Sequence, residues 1–192
     1  AIGRHFLDKG ANVVFADLDE DRLRKELGPN EDGNSHRYFA GDLRERLTIA
    51  NLLSATIDAF DRVDILVNGA RQIVTTDALD PEDASVDTLL EQNLLTSLRL
   101  SQMVARRMIK QAEDLEEVET AGTIVNISCL AAQRTHPDLM GYSISTAALD
   151  QMTRSLALAL APHRIRVNAV AFGSVMSASL KAAIKDNPDY RD

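Results

Sequence analysis

Tyr142 opens a long helical stretch and follows, across a short loop, the polar pair Ser128-Cys129 that ends an apolar run. A phenol can protonate a carbonyl oxygen, or act as the base in reverse. A tyrosine at a helix start is also an ordinary packing residue, and both readings stand on spacing alone. Asp17 closes the apolar run Asn12-Val13-Val14-Phe15-Ala16. A carboxylate there can accept both ribose hydroxyls of an adenosine and repels a 2′-phosphate, which favours NAD over NADP. The competing reading makes Asp17 the N-cap of the next helix, a task Asp19 could also perform. Gly3 is a candidate last glycine of a dinucleotide loop, where the missing side chain lets helix and strand pack closely.

These residues need elements to hold them, and the chain alternates short apolar runs with amphipathic stretches. Helices are expected over 2–9, ended by Gly10, over 19–27, broken at Gly28-Pro29-Asn30, and over 45–60. Strands are expected over 12–16, 36–40, 63–67, 123–127 and 165–171. Asp80-Pro81 reads as an N-cap with proline at the first helical position, opening a helix to about Gln111. The acidic stretch 111–122 reads as a surface excursion, and 141–162 as a helix with Ala148, Met152, Leu156 and Leu160 on one stripe. Apolar strands alternating with helices imply an α/β fold: a doubly wound parallel sheet with helices on both faces. Ligands bind such sheets at the carboxyl ends of the strands. That places Asp17, Asp42, Asn68 to Arg71, Ser128-Cys129 and Phe172-Gly173 together at the useful edge.

Composition narrows the class. The 192 residues carry 21 Lys and Arg against 29 Asp and Glu, a net charge of −8, which argues against nucleic acid or an anionic membrane as partner. The 45% hydrophobic content suits a packed core. No apolar run has the length to span a bilayer, and no signal peptide is visible, so a cytoplasmic location is expected. The single cysteine, Cys129, makes no internal disulfide and no Cys-rich zinc site, and no metal-ligand pattern is present. The opening Ala1-Ile2-Gly3-Arg4 and the polar close at Asp192 read as internal to a longer protein.

Taken together, the motifs resemble the short-chain dehydrogenase/reductase family. They are Ala1-Ile2-Gly3-Arg4, Val13-Val14-Phe15-Ala16-Asp17, Gly41-Asp42-Leu43, Asp64-Ile65-Leu66-Val67-Asn68, Asn93, Val125-Asn126-Ile127-Ser128, Tyr142-Ser143-Ile144-Ser145 and Arg164 to Val170, in family order. The resemblance implies a single Rossmann-like domain over 1–192, with a first strand before Ala1 and a final segment after Asp192. It implies a nicotinamide cofactor and hydride transfer to or from a small alcohol or carbonyl compound. Carried over, Ile2 and Gly3 end the glycine loop, Asp17 selects NAD, Asp42 and Leu43 hold the adenine, and Asn68, with Gly69 and Ala70, braces the cleft. Tyr142 is the acid/base, Asn93 holds a water in a proton relay, and Gly173, Val175 and Ser177 line the nicotinamide end. The helices over 94–112 and 145–160 correspond to the family's four-helix interface, which implies a homodimer or homotetramer.

Four positions depart from the family pattern. The family's lysine, four residues after the tyrosine, is Thr146 here, and its serine is Cys129, with Ser128 adjacent. Without a nearby cation Tyr142 should titrate near ~10, leaving roughly one molecule in a thousand as tyrosinate, a cost of about 4 kcal/mol to chemistry that needs the anion. Arg71 stands where a glycine lets backbone approach the cofactor, and Phe172 where a proline precedes Gly173. Arg71 could block the cleft, supply part of the missing charge, or lie solvated on the surface. Two function classes follow: an oxidoreductase with a divergent site at Tyr142, Asn93, Ser128, Cys129 and Thr146, or a weak or inactive protein of the same fold serving as a nucleotide-binding or structural subunit.

Overall fold

The computed structural model describes residues 1–113, 119–134 and 136–173. Within them the order is α1 (Ile2–Asp8), β1 (Val13–Asp17), α2 (Glu20–Leu27), β2 (His36–Ala40), α3 (Arg46–Phe60) and β3 (Ile65–Asn68). There follow α4 (Ser85–Leu89), a π-helical turn (Leu90–Leu95), α5 (Thr96–Glu113), β4 (Gly122–Cys129), α6 (Met140–Leu160) and β5 (Ile165–Phe172). Local chemistry sets the boundaries. Asp19 caps α2 by accepting from the Arg22 N–H at 2.9 Å, and Gly28 ends it at φ +80°, where a side chain would be strained.

All strand pairs are parallel, as helical crossovers require. β1 pairs with β2 from Val13↔His36 to Asp17↔Ala40, while β3, β4 and β5 form a second sheet with β4 in the middle. The α/β fold of parallel strands flanked by helices expected from sequence is what forms, and among the described residues its strands fall into two sheets. β1 and β3 each leave one edge unpaired among the described residues, and both line a cleft of about 840 Å³ that also takes in Ala1, Ile2 and Gly3. A Cβ on Gly3 would run into the Phe15 ring, so the bare backbone is what lets α1 sit on β1.

Two local expectations are corrected. Residues 80–84 form turns, not the first turn of a helix, because Asp80 and Asp83 spend their carboxylates on the nearby Glu82, Asp77 and Ser85 N–H groups. The helix begins at Ser85. β4 runs through Ser128 and Cys129, past the strand expected over 123–127, since pairing with β5 continues to Cys129↔Phe172. Of the expected acidic excursion, 111–113 belong to α5, while 114–118 lie outside the described residues.

The main core lies between β4, β5, α3 and α5. Ile49, Met108 and Ile124 are fully buried there, each stabilising the fold by about 2 kcal/mol relative to exposure. β4 alternates with period two: Gly122, Ile124, Asn126 and Ser128 are buried, and the residues between them less so. Asn126 puts a polar group into this interior, and its partners make that possible. Its Oδ1 accepts from Asn68 Nδ2 at 2.7 Å, and its Nδ2 donates to Thr153 Oγ1 at 2.8 Å. Asn68 Nδ2 also donates to Ser101 Oγ at 2.9 Å. One buried chain of bonds thus joins β3, α5, β4 and α6.

Replacing Asn126 by alanine strands an Asn68 N–H in the interior. The expected loss is about 3 kcal/mol in urea unfolding, against under ~1 kcal/mol for Thr123→Ala on the other face of β4. Equal losses for the two variants would show that the buried chain is not a structural node.

Candidate functional site

Tyr142 lies in the first turn of α6, where α6 meets α4 closely. A Cβ on Gly141 would come within 3.2 Å of the Val86 Cα, and within 2.9 Å of Thr76 Oγ1. Thr76 organises this corner: its Oγ1 accepts from the Gly141 N–H at 3.1 Å and from Ser85 Oγ at 2.7 Å, and its own N–H donates to the Asp138 carbonyl. Sequence reasoning missed Thr76, because its partners lie far along the chain and no local spacing marks it.

The side chain of Tyr142 is 2% exposed, and its hydroxyl is buried without a well-formed hydrogen bond. The Arg71 guanidinium and the Cys129 thiol flank that hydroxyl. Burial pushes the phenol up to about 12; Arg71 opposes the rise and Cys129 adds to it. The sequence-based value near ~10 is thus corrected, because desolvation outweighs the effect of the Arg71 cation. Cys129, rather than Ser128, is the β4 residue beside the hydroxyl, while Ser128 Oγ is buried with no partner among the described residues.

Thr146 is 2% exposed and turned back onto its own helix, donating to the Tyr142 carbonyl at 2.8 Å and sharing the proton with the Ser143 carbonyl at 3.2 Å. Ser145 Oγ donates to the same Tyr142 carbonyl at 2.9 Å. Asn93, in the π-helical turn, is committed as a clamp. Its Oδ1 accepts from the Gln72 N–H at 2.8 Å, and its Nδ2 donates to the Gln72 carbonyl at 3.0 Å and to Ser145 Oγ at 3.2 Å. Its side chain therefore fixes the loop after β3 against α6.

The remaining residues lie at the carboxyl ends of the strands. Asp17 is exposed at the end of β1, lines the cleft, and accepts from the Asp19 N–H at 3.2 Å; the cap of α2 is Asp19. Asp42 is paired with Arg44, whose hydrogen bonds hold the carboxyl below its usual range, while Leu43 is buried against the core. Asn68 points its amide inward, into the Asn126 chain, and Gly69 and Ala70 are exposed along the same cleft. Ile2 and Gly3 line it from α1. Gly173 follows β5 close to Leu130, and Val175 and Ser177 lie outside the described residues.

Parallel strands with an exposed carboxylate and glycine backbone at their carboxyl ends, and a buried phenol at the start of α6, make an arrangement typical of nucleotide-binding α/β folds. A family model described as short chain dehydrogenase matches residues 1–188, and the chain belongs to that family of nicotinamide-dependent oxidoreductases. A Thermotoga maritima protein named an uncharacterized oxidoreductase is 30% identical over 185 residues, covering 96% of this chain and 70% of the relative. The solved apo SCOR enzyme from Clostridium thermocellum superposes with a TM-score of 0.74 at 27% identity, over 94% of this chain and 71% of that one. The structure titled ElxO with NADP bound matches in fold, with a TM-score of 0.81 at 20% identity, over 97% of this chain and 73% of that one. Among the described residues no helix is long and apolar enough to cross a membrane.

The raised tyrosine makes a signed prediction. The folded state resists ionising Tyr142, so its contribution is intact below the unfolded value near ~10 and is lost as pH rises toward the folded value of about 12. Wild type should therefore lose stability relative to Tyr142→Phe between these limits, and the two should run parallel at neutral pH. Parallel behaviour up to the alkaline limit would contradict a buried, desolvated phenol.

Proposed function

We propose that this chain moves a hydride between a nicotinamide and a small alcohol or ketone, with Tyr142 as the proton donor or acceptor. The observation that carries the reading is the Tyr142 hydroxyl: buried, without a well-formed hydrogen bond, and set on a helix start at the ligand-binding edge of a parallel sheet. Such an unsatisfied buried donor is costly unless a ligand completes it.

The residues present fit a dinucleotide. Gly3 brings α1 onto β1, and Asp17 offers an exposed carboxylate for the adenosine ribose, which supports NAD over NADP. Asp42 and Leu43 flank the adenine position. Gly69 and Ala70 offer backbone along the cleft, and Asn68 serves through its backbone because its amide is engaged inside. Gly173, Val175 and Ser177 belong to the nicotinamide end in this reading.

When bound, the nicotinamide supplies or accepts the hydride. In the reducing direction Tyr142 gives its proton to the carbonyl oxygen as the carbonyl carbon gains the hydride. A phenol titrating at about 12 is neutral at pH 7, so this direction starts from the form already present. Oxidation requires the phenolate first and is the harder direction. Asn93 keeps the loop after β3 in place, and Cys129 borders the hydroxyl. Exposed Leu158 and Ile144 on α6 support the expectation of a homodimer or homotetramer through the long helices. The −8 charge supports a protein without a nucleic-acid or anionic-membrane partner.

A specific observation favours the second reading, a weak or inactive subunit of the same fold. Thr146 carries no charge and spends its hydroxyl on its own helix, so the contacts a lysine would offer there are missing. The domain reading, with a strand before Ala1, is supported by the unpaired edges of β1 and β3 facing one cleft.

Calorimetry with NADH and NADPH on the full-length protein tests the proposal. We expect NADH to bind and NADPH to bind at least about tenfold more weakly, a gap of about 1.4 kcal/mol, with Asp17→Asn narrowing it. Carbonyl reduction should fall at least about a hundredfold in Tyr142→Phe. Turnover that arises only in the Thr146→Lys, Cys129→Ser double variant would establish the inactive reading instead. Absence of binding by either nucleotide would remove the oxidoreductase reading.

A further inference from the structure

Arg71 stands where the loop after β3 turns past the end of β4, and three observations set its role. Its Nη1 lies 3.5 Å from the Ser128 carbonyl, a long contact that draws the guanidinium across to β4. The next residue, Gln72, is clamped on both its N–H and its carbonyl by the buried Asn93 side chain, so the backbone that launches Arg71 is fixed. The Tyr142 hydroxyl, which Arg71 flanks, has no well-formed hydrogen bond of its own. Position 146, one turn along α6 from Tyr142, contributes only a hydroxyl that faces backward.

We propose that Arg71 is the positioning cation of this site: held by the Asn93–Gln72 clamp and the Ser128 carbonyl, its guanidinium faces the Tyr142 hydroxyl and stabilises the phenolate that proton transfer leaves behind. The inference rests on Tyr142 being the acid/base, and it moves the site's positive charge from the tyrosine's own helix to the opposite strand edge. In carbonyl reduction a hydride forms the new C–H bond, the C–O π bond opens onto oxygen, and the Tyr142 proton forms the new O–H bond. The phenolate then faces Arg71 until water returns a proton.

Among the described residues the other ionisable groups near this hydroxyl do not substitute. Cys129, at the end of β4, works in the opposite sense. The elements packed on the start of α6 bring Asp87, Glu91 and Asp138. None of the three acts on the hydroxyl, and Glu91 is engaged with Arg99. A guanidinium suits the task because it stays charged at every pH at which the phenol titrates.

The test places a fluorinated tyrosine at position 142, which lowers its ionisation into a range the fold tolerates, and follows that one fluorine resonance against pH. Relative to the labelled parent, Arg71→Gln should raise the midpoint by about one unit, and Arg71→Lys should restore at least half of that shift. An unchanged midpoint in Arg71→Gln overturns the proposal, as does an equal rise in both variants, which would mean that packing rather than charge is responsible. NADH calorimetry on the same proteins separates this from the broader reading. Loss of the midpoint shift with retained binding sinks only the role of Arg71, whereas no NADH binding by the parent sinks the oxidoreductase reading whatever the fluorine signal does.

Discussion

The buried amide of Asn126 is the constraint from which the site's geometry follows. It sits in the middle strand of the three-stranded sheet, where water is absent and each polar atom must find a protein partner. Its two bonds reach Asn68 on β3 and Thr153 on α6, and Asn68 extends the chain to Ser101 on α5. Apolar packing alone tolerates small slides between elements, because it lacks direction. Hydrogen bonds between side chains on four elements do not. They set how far β3 and β4 advance relative to α6, and therefore where the loop after β3 and the end of β4 stand against Tyr142.

A second, smaller lock works at the edge of the first. Asn93 holds Gln72 by both backbone groups and reaches Ser145 on α6. It does so from a π-helical turn, a local departure from regular helix that is frequent at functional sites. The two asparagines thus divide the labour: one fixes the elements, the other fixes the loop that decorates them. Between these locks stands a phenol whose burial opposes its ionisation and whose cationic neighbour Arg71 favours it. The balance lies on the side of burial, which is what holds the proton on Tyr142 at neutral pH.

Much of this could be read from the sequence, and the failures have physical reasons. Alternating apolar runs and amphipathic stretches located all five described strands to within a few residues, because parallel strands buried on both faces must be apolar. The choice between Asp17 and Asp19 as helix cap stayed open in sequence, since either could reach the first N–H groups; the coordinates put Asp19 on Arg22 and leave Asp17 at the cleft. Asp80-Pro81 carried a sound helix-start signal, but the clustered aspartates of 77–83 offered the backbone a competing set of turns. The partners of Asn68, Asn93 and Thr76 were beyond reach, because each lies at least nine positions away and no periodicity connects them. The phenol's environment was likewise invisible, since burial belongs to the folded state.

The cleft between β1 and β3 has a consequence for how the fold is tied together. Among the described residues the facing edges of β1 and β3 keep unused N–H and C=O groups across an apolar gap, a template for one extended strand. A single inserted segment would turn two small sheets into one continuous sheet, satisfying both rows of backbone groups at once. Any shift of β1 and α1, which carry Asp17 and Gly3, relative to β3 would then break hydrogen bonds on both sides of that strand, so the nucleotide edge would gain the directional rigidity that Asn126 gives the Tyr142 corner.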